Sequence, residues 1–263
     1  MITQSLLQSI QALAHDAGDA IMQIYQQDFA VAYKDDQSPL TAADLAAHEV
    51  IVKGLEALTP GIPILSEEDV QAFQGPNQEG YYWLIDPLDG TKEFIKKNGE
   101  FTVNIALIHQ GQSVLGLVYA PAQGLTYSAA KGMGAFKQNS LGKVQIHALA
   151  HQPGTPWRIV GSRSHGNDAI QPWLAQFNDH SLISMGSSLK LCLVAENLAD
   201  LYPRFGLTSL WDTAAAQCVV EEAGAQVLDL QGGRLGYQNS AQILNPHFIV
   251  GVDVNDLLVS NRL

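Results

Sequence analysis

The most informative stretch of this sequence, for both fold and chemistry, is Trp83-Leu-Ile-Asp86-Pro-Leu-Asp89-Gly-Thr91. Its apolar start predicts a strand that ends at Asp86, because Pro87 cannot donate to a sheet ladder. Asp89 follows three residues later, so a tight turn can aim both carboxylates into one space. Two close carboxylates repel each other unless they share a proton or a cation. Neither neighbour of Asp86 is basic, so a metal ion is the more economical partner.

The end of the same stretch suits an anion. Gly90 allows close approach of the backbone, and Thr91 begins a predicted helix whose free N–H groups suit a phosphate. An ordinary Asp-rich turn is the alternative interpretation, since Asp and Gly are favoured in turns for local hydrogen bonding.

Two further acidic sites stand at the ends of predicted elements. Leu65-Ser-Glu67-Glu68-Asp69 follows a short apolar strand, and Leu210-Trp211-Asp212 precedes a predicted helix. Taken singly, they are also explained as solvated loop charge and as a helix N-cap. Together with the first stretch they supply hard oxygen ligands without the His and Cys that zinc prefers. This donor set favours Mg²⁺, which commonly bridges carboxylates and a substrate phosphate.

The rest of the chain divides into two patterns. Amphipathic spacing predicts a helix over residues 6–24 and a second from Thr41, where Thr41-Ala-Ala-Asp44 resembles a capping box, to Leu58. Strands are predicted over residues 62–65, 102–108, 114–119 and 125–129, and the apolar runs stop between Gly142 and Pro156, where a connection is expected. After Pro156 strands alternate with helices, the first of which is predicted over residues 168–177. We therefore expect an N-terminal α+β half over residues 1–150, with most metal ligands, and a C-terminal α/β half over residues 151–263, with the substrate-binding residues and Asp212.

Composition limits the partners. The 263 residues include 26 acidic and 14 basic side chains, which gives a formal net charge of −12. This acidity argues against a nucleic-acid polymer as partner, because such proteins need a basic surface to meet phosphates. A small anion stays possible if bound cations bring positive charge to the acidic site.

The chain ends and the two cysteines indicate a cytoplasmic protein. The first 22 residues have no cationic segment typical of a signal peptide, and no apolar run is long enough for a transmembrane segment. Cys192 and Cys218 lie in predicted helices and are expected to be buried free thiols. Peripheral contact with the inner membrane and the oligomeric state stay open, although no basic amphipathic helix supports membrane contact.

The order of these motifs resembles the signature of the inositol monophosphatase-like, lithium-sensitive phosphatase superfamily. The resemblance rests on Glu67-Glu68, on residues 86–91 and on Trp211-Asp212, and it covers essentially the whole chain. Within the superfamily the chain is most similar to the bacterial 3′(2′),5′-bisphosphate nucleotidases. Three stretches carry that distinction: Asp89-Gly-Thr-Lys-Glu-Phe94, Gly186-Ser-Ser-Leu-Lys190 and Leu201-Tyr-Pro-Arg-Phe-Gly206. Gln217 departs from the pattern, because many relatives have a Gly after the alanine pair, but no ligand is lost.

The resemblance implies a layered α-β-α-β-α sandwich of the sugar-phosphatase type, with the active site between its halves. It implies two or three Mg²⁺ ions, held by the side chains of Glu67, Asp86, Asp89 and Asp212 and the carbonyl of Leu88. Thr91 and Glu67 would position and activate the attacking water. Asp44 would stand behind Thr91 or help to hold a further metal, and its capping role could coexist with either use.

The resemblance also implies how the substrate is bound. Residues that would contact it are Glu67, Leu88, Asp89, Gly90, Thr91, Ser187, Ser188, Lys190, Arg204 and Asp212. Lys190 and Arg204 are assigned to the second, non-reacting phosphate. Arg163 or His165 is a weaker candidate for the mouth of the site.

The implied activity is Mg²⁺-dependent hydrolysis of the 3′-phosphate of 3′-phosphoadenosine 5′-phosphate, which gives AMP and phosphate by direct attack of water. In this superfamily the activity removes a by-product of sulfate assimilation and is inhibited by Li⁺. An inositol or sugar monophosphatase is the closest alternative. A non-catalytic relative that binds nucleotide is an alternative from another functional class.

Overall fold

Two long helices at the N-terminal end follow directly from their sequence. In the computed structural model, which describes residues 2–27, 31–33, 39–163, 170–238 and 242–259, helix α1 spans Gln4–Tyr25 and α2 spans Ala42–Leu58. The capping box predicted for the start of α2 is present, because Thr41 and Asp44 exchange side-chain and backbone hydrogen bonds. Both helices agree with the predicted amphipathic spacing.

Half of the strands in the described part of the chain form a seven-stranded sheet in the order β3-β4-β5-β6-β7-β8-β9. Only the β3–β4 pair is parallel, and the other neighbours are antiparallel. The strands are β3 Ile64–Ser66, β4 Tyr81–Asp89, β5 Thr102–His109, β6 Gln112–Ala120, β7 Leu125–Ala130, β8 Ala135–Asn139 and β9 Gly142–Ile146. A separate two-stranded sheet pairs β1 Val31–Tyr33 with β2 Pro39–Thr41, and a short helix α3, Thr91–Ile95, follows β4.

A five-stranded mixed sheet follows in the order β11-β10-β12-β14-β13. Its strands are β10 Trp157–Ser162, β11 His180–Met185, β12 Leu201–Arg204, β13 Gln226–Asp229 and β14 Phe248–Gly251. The helices that accompany it are α4 Gln171–Leu174, α5 Leu189–Ala195, α6 Ala214–Glu222 and α7 Asn255–Val259.

Burial patterns show how these elements stack. One face of the seven-stranded sheet, including Trp83 and Ile85, packs on α1 and α2. The opposite face, including Tyr82 and Leu84, shares a core with α5 and α6 and with the inner face of the five-stranded sheet. The outer face of that second sheet packs on α4 and α7, where Trp173 is buried. These five layers confirm the expected α-β-α-β-α sandwich.

The sheets change over between Ile146 and Trp157, close to the predicted division at residue 150. The C-terminal half is not packed on its own, however, because α6 contacts β5, β6, β7 and β8 of the first sheet. At the closest approach, a Cβ on Gly116 would lie 2.0 Å from the carbonyl oxygen of Ala215. The chain therefore passes from one sheet to the other near residue 150, while the division into two domains stays a prediction.

Several element boundaries differ from the prediction. Strand β4 continues to Asp89, with a register shift between Asp86 and Asp89 at the proline rather than an end there. The stretch after Gly142, predicted as a connection, is the edge strand β9. The helix predicted over residues 168–177 lies partly outside the described residues, and its described part is the single turn of α4. Strands β8 and β9 could not be predicted from apolar periodicity, because many of their side chains are polar.

The two cysteines are where the sequence indicates. Cys192 lies in α5 and Cys218 in α6, and both are buried free thiols. Among the described residues, none of the helices has the length and apolar character needed to span a membrane.

Candidate active site

A cavity of about 360 Å³ is lined by residues from both sheets and the turns beside them. The predicted site residues on its wall are Glu67, Asp86, Leu88, Asp89, Gly90, Thr91, Ser187, Lys190, Arg204 and Asp212. Two predicted residues, Asp44 and Ser188, lie behind this wall. The fold thus brings together residues that are up to about half the chain apart in sequence.

Three carboxylates converge in the cavity. Glu67, Asp86 and Asp212 each offer an oxygen atom, and these three atoms lie within 4.8 Å of one another. Asp86 is on β4, Glu67 follows the parallel neighbour β3, and Asp212 ends a 3₁₀ turn before α6. An oxygen-only donor set of this kind suits a hard divalent cation.

Burial and mutual repulsion destabilise the ionised forms of two of these carboxylates, Asp86 and Asp212. Burial raises the pKa of Asp86 well above the usual range, and the charges of Glu67 and Asp89 raise it further. Burial likewise raises the pKa of Asp212, with added repulsion from Asp89 and Glu67. Raised pKa values mean that ionisation of these two side chains is unfavourable in this environment. A bound cation would lower both pKa values.

Asp89 is held differently from the other three acids. Its Oδ2 accepts hydrogen bonds from the Ser188 backbone N–H at 2.6 Å and from the amide of Asn104 at 3.3 Å, and lies 2.8 Å from the Ser188 hydroxyl. Burial still raises the pKa of Asp89, while the charge of Lys190 and these hydrogen bonds lower it. The contacts fix one carboxylate oxygen and orient the side chain.

The structure places Ser188, a predicted substrate contact, behind the cavity wall. The residue is buried and does not line the cavity, and its hydroxyl lies between Asp89 and the carbonyl oxygen of Asp212, 2.6 Å away. Ser188 therefore positions an acidic side chain rather than facing a substrate.

Thr91 and Asp44 form a connected pair. The Thr91 hydroxyl donates to Asp44 Oδ1 at 3.2 Å, and lies farther, at 3.5 Å, from the carbonyl oxygen of Leu88. Asp44 Oδ2 accepts from both the backbone N–H and the hydroxyl of Thr41 at 2.8 Å. The capping role and the role behind Thr91 coexist, because each uses a different carboxylate oxygen.

The turn that carries Thr91 depends on Gly90. This residue has φ 93° in the left-handed region, and a Cβ at this position would lie 3.2 Å from the Glu100 carbonyl oxygen. A larger side chain would be strained and crowded, so the glycine lets the backbone turn from β4 into α3 at the cavity wall.

The basic part of the wall is formed by Lys190 and Arg204. Lys190 is buried and donates to the carbonyl oxygen of Ser187, three residues earlier. Burial lowers its pKa, the charge of Asp89 raises it, and the charge of Arg204 lowers it. Two polar atoms beside this pair, Ser187 Oγ and Arg204 Nε, are buried without a hydrogen-bond partner among the described residues.

The weaker candidates for the mouth of the site have other surroundings. Arg163 does not line the cavity; its Nε donates to Glu100 at 2.6 Å and its Nη2 to the Ser184 carbonyl oxygen at 2.7 Å. His165 lies outside the described residues. Asp212, whose alternative role was a helix N-cap, is also not the cap of α6, because Thr213 has that position. Its carboxylate accepts instead from the Ser209 backbone N–H of the preceding 3₁₀ turn.

Several residues of the site were not identified from sequence, including two buried polar residues and two leucines. Asn104 lies in the middle of β5 and Glu93 in α3, and both are buried. A polar residue inside an apolar strand needs a partner, which is the signal that could have found Asn104. Leu207 and Leu244 line the cavity while 72% and 40% exposed, so they form part of its rim. Nothing in their sequence context distinguishes them from ordinary surface leucines.

Comparison with known proteins agrees with this geometry. The model of the inositol monophosphatase family matches residues 3–254. The 3′(2′),5′-bisphosphate nucleotidase CysQ of Salmonella typhimurium LT2 is 52% identical over 249 residues, which cover 94% of this chain and 100% of that protein. CysQ of Escherichia coli K12 is 50% identical over the same length and coverage.

A solved structure gives the same result for the fold. The crystal structure of CysQ from Bacteroides thetaiotaomicron, described as a bacterial member of the inositol monophosphatase family, matches with a TM-score of 0.80 and 36% identity, and the match covers 95% of this chain and 97% of that one. The sequence match over most of the chain, the layered sandwich and the converging carboxylates lead to one conclusion: the chain belongs to the inositol monophosphatase family.

Proposed function

We propose that this chain is a Mg²⁺-dependent 3′(2′),5′-bisphosphate nucleotidase, a phosphoric monoester hydrolase that converts 3′-phosphoadenosine 5′-phosphate to AMP and phosphate. The observation that carries the proposal is a single cavity lined by a carboxylate cluster (Glu67, Asp86, Asp89 and Asp212) and by a basic pair (Lys190 and Arg204). The roughly 50% identity to proteins named for this activity supports it.

The carboxylate cluster would hold Mg²⁺, two ions or three, with the carbonyl oxygen of Leu88 as a further ligand. The oxygen-only donor set and the raised pKa values of Asp86 and Asp212, which a nearby cation would lower, support this assignment. When bound, Mg²⁺ supplies Lewis-acid charge, which makes a water easier to deprotonate and stabilises charge on the leaving oxygen.

Thr91 and Glu67 would orient the attacking water. The Thr91 hydroxyl has one hydrogen, and the shorter of its two contacts shows that this hydrogen points toward Asp44 Oδ1. Its lone pairs are then free to accept a hydrogen bond from water, and Asp44 keeps this orientation through its own bonds to Thr41. Positioning and electrostatic stabilisation carry most of the rate increase in phosphoryl transfer, so a fixed hydroxyl matters more than its basicity.

The basic pair would bind the second phosphate, at the 5′ position. Lys190 and Arg204 are the cationic residues on the cavity wall besides the exposed Lys92. The unpartnered Ser187 Oγ and Arg204 Nε support an anion with several acceptor oxygens here, because buried donors are costly when left unpaired. An Arg fork suits a phosphate better than a second Lys would.

The apolar rim favours a nucleotide over an inositol phosphate. Leu207 and Leu244 expose aliphatic surface beside a polar cavity. The two segments that carry them are tied together, because Leu210 N–H donates to the Ile243 carbonyl and Asn245 N–H to the Thr208 carbonyl. A flat purine can cover such a surface, whereas the ring of inositol phosphate cannot, because each of its carbons without a phosphate has a hydroxyl.

Three further features of the activity come with the proposal. We expect inhibition by Li⁺, a role in removing a by-product of sulfate assimilation, and a cytoplasmic location. They rest on the family and on the substrate assigned here.

Parallel initial rates of phosphate release test the function. We expect rapid Mg²⁺-dependent release from 3′-phosphoadenosine 5′-phosphate, slower release from inositol 1-phosphate, and no release after chelation of the metal. Faster release from inositol 1-phosphate would assign the chain to the monophosphatases. Binding of the bisphosphate without any release would identify a non-catalytic nucleotide-binding protein.

A further inference from the structure

Glu93 is a carboxylate on the cavity wall that the proposed mechanism does not use. Its side chain is only 5% exposed, and it belongs to the residues that line the cavity. Its carboxylate accepts no hydrogen bond and forms no ion pair with any residue that the structure describes. Most of the side chain is withdrawn from solvent, so a molecule that fills the cavity is the natural source of a hydrogen-bond donor for this carboxylate.

Two glycines make room for this side chain. A Cβ on Gly186 would lie 2.6 Å from Glu93 Cγ, and a Cβ on Gly90 would lie 3.3 Å from Glu93 Oε2. The second point is also 3.3 Å from Ser187 Cβ, so Glu93 and Ser187 are neighbours above Gly90. The side chain is therefore confined by packing, and its Oε2 lies next to Gly90, the residue that follows Asp89 in the chain.

The chemistry of a carboxylate restricts what can lie against it. An ionised carboxylate only accepts hydrogen bonds, so it repels phosphate oxygens and requires a donor. The bisphosphate substrate has two kinds of donor near a phosphate or a base: the ribose hydroxyl and the exocyclic amine of the purine. The hydroxyl on the carbon next to the scissile phosphate ester is the donor nearest to the reacting end.

We propose that Glu93 is a specificity-determining residue that accepts a hydrogen bond from the sugar hydroxyl vicinal to the scissile phosphate. The inference rests on the proposed function, because it requires the reacting phosphate to lie at the carboxylate cluster. A nucleotide phosphorylated at either the 3′ or the 2′ position has such a hydroxyl on the adjacent carbon. One carboxylate can thus serve both isomers.

A substrate pair tests this contact directly. Phosphate release is measured at saturating Mg²⁺ from 3′-phosphoadenosine 5′-phosphate and from its 2′-deoxy analogue, with the wild-type chain, Glu93→Gln and Glu93→Ala. We expect the wild-type chain to prefer the ribose form in kcat/KM by about 10- to 100-fold, as for a hydrogen bond to a charged group. Both variants should lose most of that preference, through a slower ribose substrate and an unchanged deoxy substrate.

Glu100→Gln is the matched control. Glu100 is a neighbouring carboxylate that does not line the cavity, and its Oε2 already accepts from Arg163 and from the Gly186 N–H. This variant should keep the wild-type preference between the two substrates. Because the readout is a ratio measured on one preparation, partial loss of folded protein does not change it.

Three results would overturn the inference. The first is a wild-type chain that hydrolyses both forms equally. The second is an equal loss on both substrates in Glu93→Gln, which would make Glu93 a counter-charge for Lys190, whose pKa it raises along with Asp89. The third is a wild-type chain that releases no phosphate from either form, which would also remove the proposed function; the first two leave that function intact.

Discussion

The carboxylate cluster and the basic pair line one cavity but are built in opposite ways. The cluster collects negative charge from β4, from the turn after β3 and from the turn before α6. Lys190 and Arg204 come from α5 and β12; they donate to the carbonyl oxygens of Ser187 and Leu207, while Arg204 Nε and the Ser187 hydroxyl are buried without a partner among the described residues. Each group is short of the charge that the other has, although the charge of Asp89 does raise the pKa of Lys190.

The difference indicates two separate ligands. If the two groups served only folding, pairing them in direct salt bridges would have lowered the cost of burying both. Instead the Lys190 ammonium donates to a backbone carbonyl, and Asp89 is held by Ser188 and Asn104. The cluster is left for a cation and the basic pair for an anion. An acidic chain can bind a polyanionic nucleotide in this way without a basic surface.

The largest effect is expected at the cluster. Asp89→Asn should lower kcat by on the order of 10³-fold at every practical Mg²⁺ concentration, because it removes a charge from a buried electrostatic site. Phosphate release measured over a Mg²⁺ titration checks this. Asp16→Asn, a change of an exposed acid on α1, is the control that should keep the wild-type rate. A near-native rate for Asp89→Asn would disprove the metal assignment.

A smaller loss is expected at Thr91. Thr91→Val removes the hydroxyl at nearly constant shape and should lower kcat by about 10²-fold, the usual scale for a group that assists proton transfer or water orientation. Thr91→Ser should restore most of the rate. The control is Thr41→Val, which removes one bond to Asp44 but leaves the Thr91–Asp44 bond; it should cost stability rather than rate. Equal rates for all three variants would contradict the role given to Thr91.

The two regions also differ in how far the sequence predicts them. Asp86, Asp89 and Thr91 stand within six residues of one another, and local strand-and-turn chemistry is enough to bring them together. Glu67 reaches the same site because it directly follows β3, which pairs in parallel with β4. The first long helix is predictable from apolar periodicity and the start of the second from its capping box, whereas the layered fold comes from the resemblance to a known family.

The basic pair and the supporting residues depend on packing between distant segments. Asn104 reaches Ser188 from a strand 84 residues earlier, and no local pattern records that distance. The sequence assigns Ser187 and Ser188 alike to the substrate, as hydroxyl donors near Lys190. Only Ser187 lines the cavity, because its left-handed backbone, with φ 47°, turns the two side chains to different surroundings. Sequence reasoning thus finds ligands more easily than the residues that orient them.

The third effect is expected at Arg204, whose substitution should impair hydrolysis mainly of a substrate that carries the second phosphate. Arg204→Ala should reduce kcat/KM on 3′-phosphoadenosine 5′-phosphate by about 10- to 100-fold, as expected for loss of a charged hydrogen bond. The same variant should change the rate on adenosine 3′-monophosphate by much less. Arg234→Ala is the control, because Arg234 pairs with Glu221 outside the cavity. An equal loss on both substrates would show that Arg204 does not contact the second phosphate.

The smallest effect is expected on the stability of the metal-free protein and comes from Asp86. Burial and the neighbouring carboxylates raise the pKa of Asp86, so the folded chain holds a proton there at pH values where the unfolded chain has lost it. The metal-free protein should therefore lose stability as the pH rises above the ordinary carboxyl range. Asp86→Asn removes this cost, and at pH 8 it should raise the Tm of the metal-free protein, by about 2–4 °C for each kcal/mol gained.

Two ligand shifts complete this experiment. Mg²⁺ should raise the Tm of the wild-type chain, because it binds the folded form alone, and the shift should be lost in Asp86→Asn but kept in Arg204→Ala. AMP carries the 5′-phosphate, so its shift should be lost in Arg204→Ala instead. Thermal melts of the three proteins with each ligand at pH 8 measure all of these values. If both variants lost both shifts, the cavity would bind its cation and its anion as one unit, and the separation between the carboxylate cluster and the basic pair would fail.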